Sequence, residues 1–426
     1  MWIIYQVAFA LVLAVAGPIL LIRRGRHYLQ TISGRLGGYG GEIPKNPLWI
    51  HAVSVGEVAV ATTLARALPL DVPLLITTIT PTGQRRALQE LGRRAAVTYL
   101  PFDLGFAIER FLRRFQPRGL ILVEGDLWPL LLKRLGDRNL PVLVVNGRVG
   151  DRSFERMRRL RPFLGPLFGP VTRFGMQTIQ DCTRLKALRV SPEKIDLLGN
   201  IKFDSPIPAP IPEVEARLRE LAGTRDILIA GSTMPDEEGI VLDAFGQIGA
   251  GRDAMLVLAP RHPERCSQVE SLVAKHELRC LRRSAIDQSV SAPDVLLLDT
   301  LGELAPLYAV GLGSFIGGTL VRTGGHNPIE AAQLGSAIAV GPSMENFREI
   351  SQIFDEAQAW RRVEDSRELA EAWRLWLSDP PTARKLGNRA KQVADENRGA
   401  LEKTVAFIQP VLQGASQDTD PSRFGK

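Results

Sequence analysis

The chain has 426 residues, 45% of them hydrophobic and 23% charged, with three cysteines and five histidines. That composition excludes a disordered, collagen-like or disulfide-stapled chain, and Cys182, Cys266 and Cys280 form no CxxC pair that could nucleate a zinc cluster. The net charge of +7 divides unevenly: residues 1–200 carry 28 Lys and Arg against 14 Asp and Glu, and residues 201–426 carry 25 against 32, so the first half is expected to meet an anionic surface or polyanion.

Residues 2–22, WIIYQVAFALVLAVAGPILLI, carry no charge and are followed by Arg23, Arg24, Arg26 and His27. A helix of that length crosses about 30 Å of hydrocarbon, and arginines on its C-terminal flank keep the rest of the chain in the cytoplasm. The expectation is a single membrane anchor over 1–25, with Gly17-Pro18 leaving an in-plane helix open. It directs the basic half toward membrane lipid, with no nucleic-acid partner.

From Leu48 to Ile201 short apolar runs alternate with polar turns and helix-period segments: LWIHAV before a helix at 57–68, LLITTIT before 84–91, VTYL before 106–115, GLILV before 129–137, PVLVVN before 153–161. Apolar runs of four to seven residues without alternation suit parallel strands covered on both faces. Residues 206–212, PIPAPIP, form a stiff linker. Beyond it DILIAG, AMLVLAP, DVLLLD, GSFIGG and AIAVG repeat the pattern, with helices at 236–248, 264–275, 302–309, 327–334 and 346–358. The predicted fold is α/β: two Rossmann-like domains, 26–205 and 213–380, facing a cleft that opens at the carboxyl ends of both sheets. Helices at 381–412 and a disordered tail at 413–426 complete the chain.

The turns at the strand ends carry the chemistry. In the second half Ala259-Pro260-Arg261-His262-Pro263-Glu264 brings a guanidinium, an imidazole and a helix start together, a receptor for phosphate. Local capping by Arg261 and packing of His262 is the structural alternative. Gly317-Gly318-Thr319 and Gly324-Gly325-His326-Asn327-Pro328-Ile329-Glu330 put glycines where a nucleotide can approach the backbone, with Asn327 as N-cap and Glu330 within reach of ribose hydroxyls. The spacing is neither GxGxxG nor GxxxxGK[ST], which argues against dehydrogenases and P-loop enzymes. In the first half Ser54-Val55-Gly56-Glu57 and Glu124-Gly125-Asp126-Leu127-Trp128-Pro129 bear acids suited to a general base or to binding acceptor hydroxyls, with helix capping as the alternative for Glu57.

In order, WIHAVSVGEV, TTITPTG, YLPFDL, VEGDLWP, NGRVGDRS, LGNIKFD, LAPRHPER, DTLGELAPLY, FIGGTLVRTGGHNPIEAA and GPSMENFREI closely resemble the 3-deoxy-D-manno-octulosonic acid (Kdo) transferases of lipid A and lipopolysaccharide assembly, over about Arg23 to Pro410. The resemblance implies a B-type glycosyltransferase fold anchored on the cytoplasmic face of the inner membrane. It also implies CMP-Kdo as donor, the phosphorylated, acylated glucosamine disaccharide of the lipid A precursor as acceptor, inversion at the anomeric carbon, and neither metal nor cofactor. Ser232, Thr233, Arg261, His262, Gly318, Thr319, Gly325, Asn327 and Glu330 match its donor words. Ser54, Gly56, Glu57, Glu124 and Trp128 match its acceptor words. The family word Glu-Arg-x-Gly, whose Glu is taken as catalytic base, reads Gly34-Arg35-Leu36-Gly37 here, Glu-Thr-Glu-Leu-Trp-Pro-Asn reads Glu124 to Leu130 with Gly125 and Asp126, and Asn-Ala-Arg reads Asn146-Gly147-Arg148. All three departures fall in the acceptor half. Gly34 cannot take a proton, so the substitute base is sought first at Glu124, with Asp126 behind it and Glu42, in a glycine-rich loop, as the other candidate.

Overall fold

The computed structural model describes residues 2–24, 27–39, 44–161, 164–288 and 292–413. The chain divides into two units, Met1–Ser205 together with Arg398–Lys426, and Pro206–Asn397. Each is built on a seven-stranded, wholly parallel sheet.

The first sheet contains β1 (Leu48–His51), β2 (Leu74–Thr78), β3 (Ala96–Tyr99), β4 (Gly119–Val123), β5 (Val142–Gly147), β6 (Arg173–Met176) and β7 (Ile195–Leu197), in the order β3-β2-β1-β4-β5-β6-β7. The inner strands are buried throughout, because both faces are covered. Trp49, Leu120 and Leu122 enter one buried cluster, and Leu48, Ile50 and Ile121 enter another. The order reverses between β1 and β4, so the turns that follow these two strands are where such a sheet opens for a ligand.

The second sheet contains β8 (Asp226–Thr233), β9 (Ala254–Pro260), β10 (Cys280–Arg282), β11 (Val295–Leu297), β12 (Gly313–Ile316), β13 (Ala337–Val340) and β14 (Arg361–Arg362), in the order β10-β11-β9-β8-β12-β13-β14. Its reversal lies between β8 and β12. The segment expected as a helical tail divides between the units. Helix Pro380–Glu396 belongs to the second, whereas helix Ala400–Gln413 belongs to the first, where Phe407, Ile408 and Val411 join the cluster containing Ile50 and Ile121. Asp204 fixes the return by accepting the amides of Gly399 (2.7 Å) and Leu401 (2.8 Å).

The expected N-terminal anchor is not supported as a spanning helix. Residues Trp2–Arg24 are helical, but among the described residues no helix is long and apolar enough to cross a membrane. The start of this helix is committed to the first unit. The Tyr5 hydroxyl donates to Asp103 (2.6 Å), Gln6 Oε1 accepts the Gly105 amide (3.0 Å), and Trp2 and Tyr5 pack on the core beside β4. Asp103 also accepts the amides of Leu130 (3.0 Å) and Leu131 (2.8 Å), capping a helix whose own N-cap, Trp128, offers no side-chain bond. The acid in the word YLPFDL is therefore a remote cap that ties three segments together.

Candidate functional site

In the first unit, the turn after β1 is a capping box. Ser54 Oγ accepts the Glu57 amide (3.3 Å), while the Glu57 carboxylate accepts from Val53 N (2.9 Å), Ser54 N (3.3 Å) and Ser54 Oγ (2.9 Å). Gly56 lies in the same helical turn. Burial drives the Glu57 pKa up to about 7, against those hydrogen bonds and with help from the negative charges of Glu124 and Asp126.

The turn after β4 holds Glu124 at φ 61° and Gly125 at φ 104°, two successive left-handed residues. Nothing crowds Gly125 closer than 3.6 Å, so its backbone rather than its space calls for glycine, where the family word has threonine. The Glu124 carboxylate is gripped at both oxygens, by Lys202 Nζ (3.0 Å) and Arg148 Nε (2.9 Å), and its side chain is 10% exposed. Both oxygens of this carboxylate are thus already engaged by cations. Asp126 stays exposed, no described residue hydrogen-bonds its carboxylate, and desolvation together with the charge of Glu124 raises its pKa. Trp128 packs against the core with its Nε1 buried and without a hydrogen-bond partner among the described residues. Glu42 lies outside the described residues.

Gly34 sits in helix His27–Arg35, and a Cβ there would stand 3.5 Å from Tyr99 Cδ2, an ordinary contact, so the backbone leaves room for a Cβ. Arg35 beside it is anchored on the Ile79 carbonyl (2.6 Å) and lies over the Tyr99 and Phe102 rings. His51 ends β1 with Nδ1 on the Thr77 carbonyl (3.1 Å). Its Nε2 is buried without a described partner, and burial lowers its pKa to about 3. Sequence reasoning passed over His51, Arg148 and Lys202. Each stands inside a quoted word, which was the available signal; His51 and Arg148 are at or next to a strand end, and Lys202 is in the turn Ile201–Asp204 that follows β7.

In the second unit, Arg261 and His262 follow β9 and are exposed, with the Arg261 amide bonded to the Thr233 carbonyl (2.9 Å). Ser232 takes φ 58° at an irregularity in the β8–β9 register, and Thr233 is fully buried. His326 joins this corner. Its Nε2 is buried without a described partner, and its pKa is lowered to about 4 by burial and by the fields of Arg261 and His262. Arg261 and His262 thus lie close enough to His326 for their fields to act on its ring, and the two exposed side chains offer an anion a guanidinium and an imidazole.

The glycine turn differs from expectation. The amides of Gly318 (2.6 Å), Thr319 (3.0 Å) and Leu320 (2.9 Å) do not face an approaching nucleotide but donate to the buried Glu237 carboxylate. Thr319 is fully buried, its hydroxyl bridging the Ile316 carbonyl (2.6 Å) and the Gly341 amide (2.8 Å). Gly325 is pressed against Met344 and donates to the Gly318 carbonyl (2.8 Å), so it shapes the turn. Asn327 is not the N-cap of helix Ile329–Gln333. Pro328 holds that place while Asn327 Oδ1 accepts the Ile329 amide (3.2 Å) and its Nδ2 donates to Glu330 (3.3 Å). Among the described residues no group of three His, Cys, Asp or Glu is arranged to hold a metal ion.

Residues 30–205 match the family model described as 3-Deoxy-D-manno-octulosonic-acid transferase (kdotransferase). A 3-deoxy-D-manno-octulosonic acid transferase of Haemophilus influenzae is 34% identical over 402 residues, 92% of this chain and 94% of that protein. One of Bordetella pertussis is 31% identical over 413 residues, again 92% and 94%. Among solved structures, UDP-GlcNAc 2-epimerase from Neisseria meningitidis bound to UDP-GlcNAc is similar with a TM-score of 0.55 at 11% identity, covering 85% of this chain and 99% of that one, a likeness of fold alone.

Proposed function

The chain belongs to the Kdo transferase family, and from that premise we propose that it moves Kdo from CMP-Kdo to a hydroxyl of the lipid A precursor, inverting the anomeric carbon without a metal. The observation that carries this reading is the corner formed by Arg261, His262 and His326 in the second unit. Breaking the bond between the Kdo anomeric carbon and the CMP phosphate leaves a second negative charge on that phosphate. Donors fixed at that position stabilise the charge as it develops. The new bond forms between the acceptor oxygen and the anomeric carbon. The proton from that oxygen goes to a carboxylate of the first unit, which we assign to Asp126 because it is accessible and its pKa is raised. Glu124, fixed by Lys202 and Arg148, shapes the pocket for the acceptor.

The same reading holds the protein on the cytoplasmic face of the inner membrane through an in-plane helix. Support comes from Ile3, Val7, Leu11, Val12 and Val15, each more than half exposed on helix Trp2–Arg24, and from the exposed arginines of helix Asp151–Arg159. A second reading, a transferase of the same fold with a different acceptor, is favoured by one observation: the departures at Gly34, Gly125, Asp126 and Gly147 all fall in the first unit.

The test is purified protein with CMP-Kdo and chelator, followed by CMP release with and without lipid A precursor. Release that depends on the precursor supports the first reading. Donor binding without precursor-dependent release transfers support to the second, and activity that returns only with added magnesium removes the metal-free step.

A further inference from the structure

Glu237 is fully buried at the start of helix Glu237–Gln247, and each of its carboxylate oxygens accepts two backbone amides. Oε2 takes Gly318 N (2.6 Å) and Met234 N (3.1 Å), and Oε1 takes Thr319 N (3.0 Å) and Leu320 N (2.9 Å). Three successive amides pointing at one spot are the anion-binding concavity that glycine-rich turns usually offer to a phosphate. Here the protein fills that concavity with its own side chain.

The turn so held is what the His326 corner rests on. Gly318 takes φ 70°, and a Cβ there would lie 2.9 Å from His326 Cδ2 and 3.0 Å from its Nε2, so the bare glycine is pressed against the imidazole. The Gly318 carbonyl accepts both the Thr323 hydroxyl (2.9 Å) and the Gly325 amide (2.8 Å), which fixes the backbone entering His326. Any shift of Gly318 moves both the floor under the ring and the chain that carries it. We infer that Glu237 is a positioning residue of the donor site: by occupying the Gly318–Leu320 amides it sets where the His326 imidazole stands beside Arg261 and His262. This deepens the proposed function and rests on the reading of that corner as the receptor of the donor phosphate.

Replacing Glu237 by Gln keeps the shape but turns an NH2 group against two backbone amides, and Glu237→Asp keeps the charge while withdrawing it by one methylene. The experiment is a double-mutant cycle in the full-length protein, with CMP binding read by calorimetry and turnover read at saturating CMP-Kdo and acceptor. Glu237→Gln should weaken CMP about tenfold or more, the scale of buried amides left facing a donor, and should raise the CMP-Kdo KM while kcat changes much less. In the His326→Ala background the same substitution should change CMP affinity by less than about twofold, because its effect passes through the ring. Effects of Glu237→Gln and His326→Ala that multiply independently, or a kcat that falls with KM unchanged, overturn the positioning role. If His326→Ala alone leaves CMP affinity intact, the reading of the corner fails instead, so the two failures are distinct. Should Glu237→Gln not fold by circular dichroism, Glu237→Asp replaces it in the cycle and is judged by the same outcomes.

Discussion

Glu124, part-buried, and Glu237, fully buried, are both carboxylates near the carboxyl end of a strand beside the point where their sheet's order reverses, yet they are held in opposite ways. Glu237 is held by four backbone amides, and Glu124 by the side chains of Lys202 and Arg148. Backbone donors come with the fold and leave only if the turn moves. Side-chain donors end on rotatable stems, and Arg148 is 36% exposed, so a ligand can compete for them. The turn of the second unit is therefore held rigidly, whereas the carboxylate of the first is held by charges that can rearrange.

The sharpest way to break this contrast is at the proton. Asp126→Asn should cut turnover at saturating CMP-Kdo by about 100- to 10,000-fold while CMP binding is unchanged, the usual worth of a positioned general base. Adding Gly34→Glu should restore part of it, because the backbone at position 34 leaves room for a Cβ. Unchanged turnover in Asp126→Asn removes it as the base. Next in size, Arg261→Ala should weaken CMP by about 1–3 kcal/mol in calorimetry with folding unaffected; equal affinity detaches Arg261 from the proposed donor site. Glu124→Gln should cost roughly 1–2 kcal/mol of unfolding free energy in urea, since its two cations lose a charged partner but keep access to water. A loss of about 3–5 kcal/mol, the cost of breaking a buried pair, would mean that side-chain and backbone holders do not differ.

The smallest effect concerns pH. The fold raises the Glu57 pKa from its ordinary 4.5 to about 7, so the folded state favours the protonated form. Its contribution to stability is complete below pH 4.5 and is lost as pH rises through about 7. Comparing urea midpoints at pH 5 and pH 8, Glu57→Gln should flatten the slope, whereas an identical slope in both proteins places the titration elsewhere.

The central strands were legible because runs such as GLILV and AMLVLAP are buried on both faces and leave no alternation to misread. The strands β6, β7, β10 and β14 were not foreseen. Three are only two or three residues long, with Asp196, Arg282 and the Arg361-Arg362 pair among them, and β7, β10 and β14 stand at sheet edges where burial on both faces is not required. In the site, the place of Arg261 directly after a strand was legible because AMLVLAP is an unbroken apolar run that ends just before it. The Gly318 turn was misread because its true partner, Glu237, lies 81 residues earlier, and no local pattern announces a contact at that distance. Asp103 and Asp204, acids within matching words, proved to be caps for the same reason: their amides lie 27 and 195 residues further along.

Helix Ala400–Gln413, which closes over the first sheet, also sets a timetable for synthesis. The strands it covers are complete by residue 197, but the helix emerges from the ribosome only after the entire second unit has been made. At 5–20 residues per second that interval is on the order of 10–40 s. Throughout it the nascent first unit lacks the Phe407, Ile408 and Val411 side chains that fill its core beside Ile50 and Ile121. The second unit, contiguous in sequence, has no such wait. Newly made chains are thus exposed to chaperones and proteases mainly through the first unit, and a ribosome stalled between residues 206 and 399 holds the half that comes first in sequence as the half still unfinished.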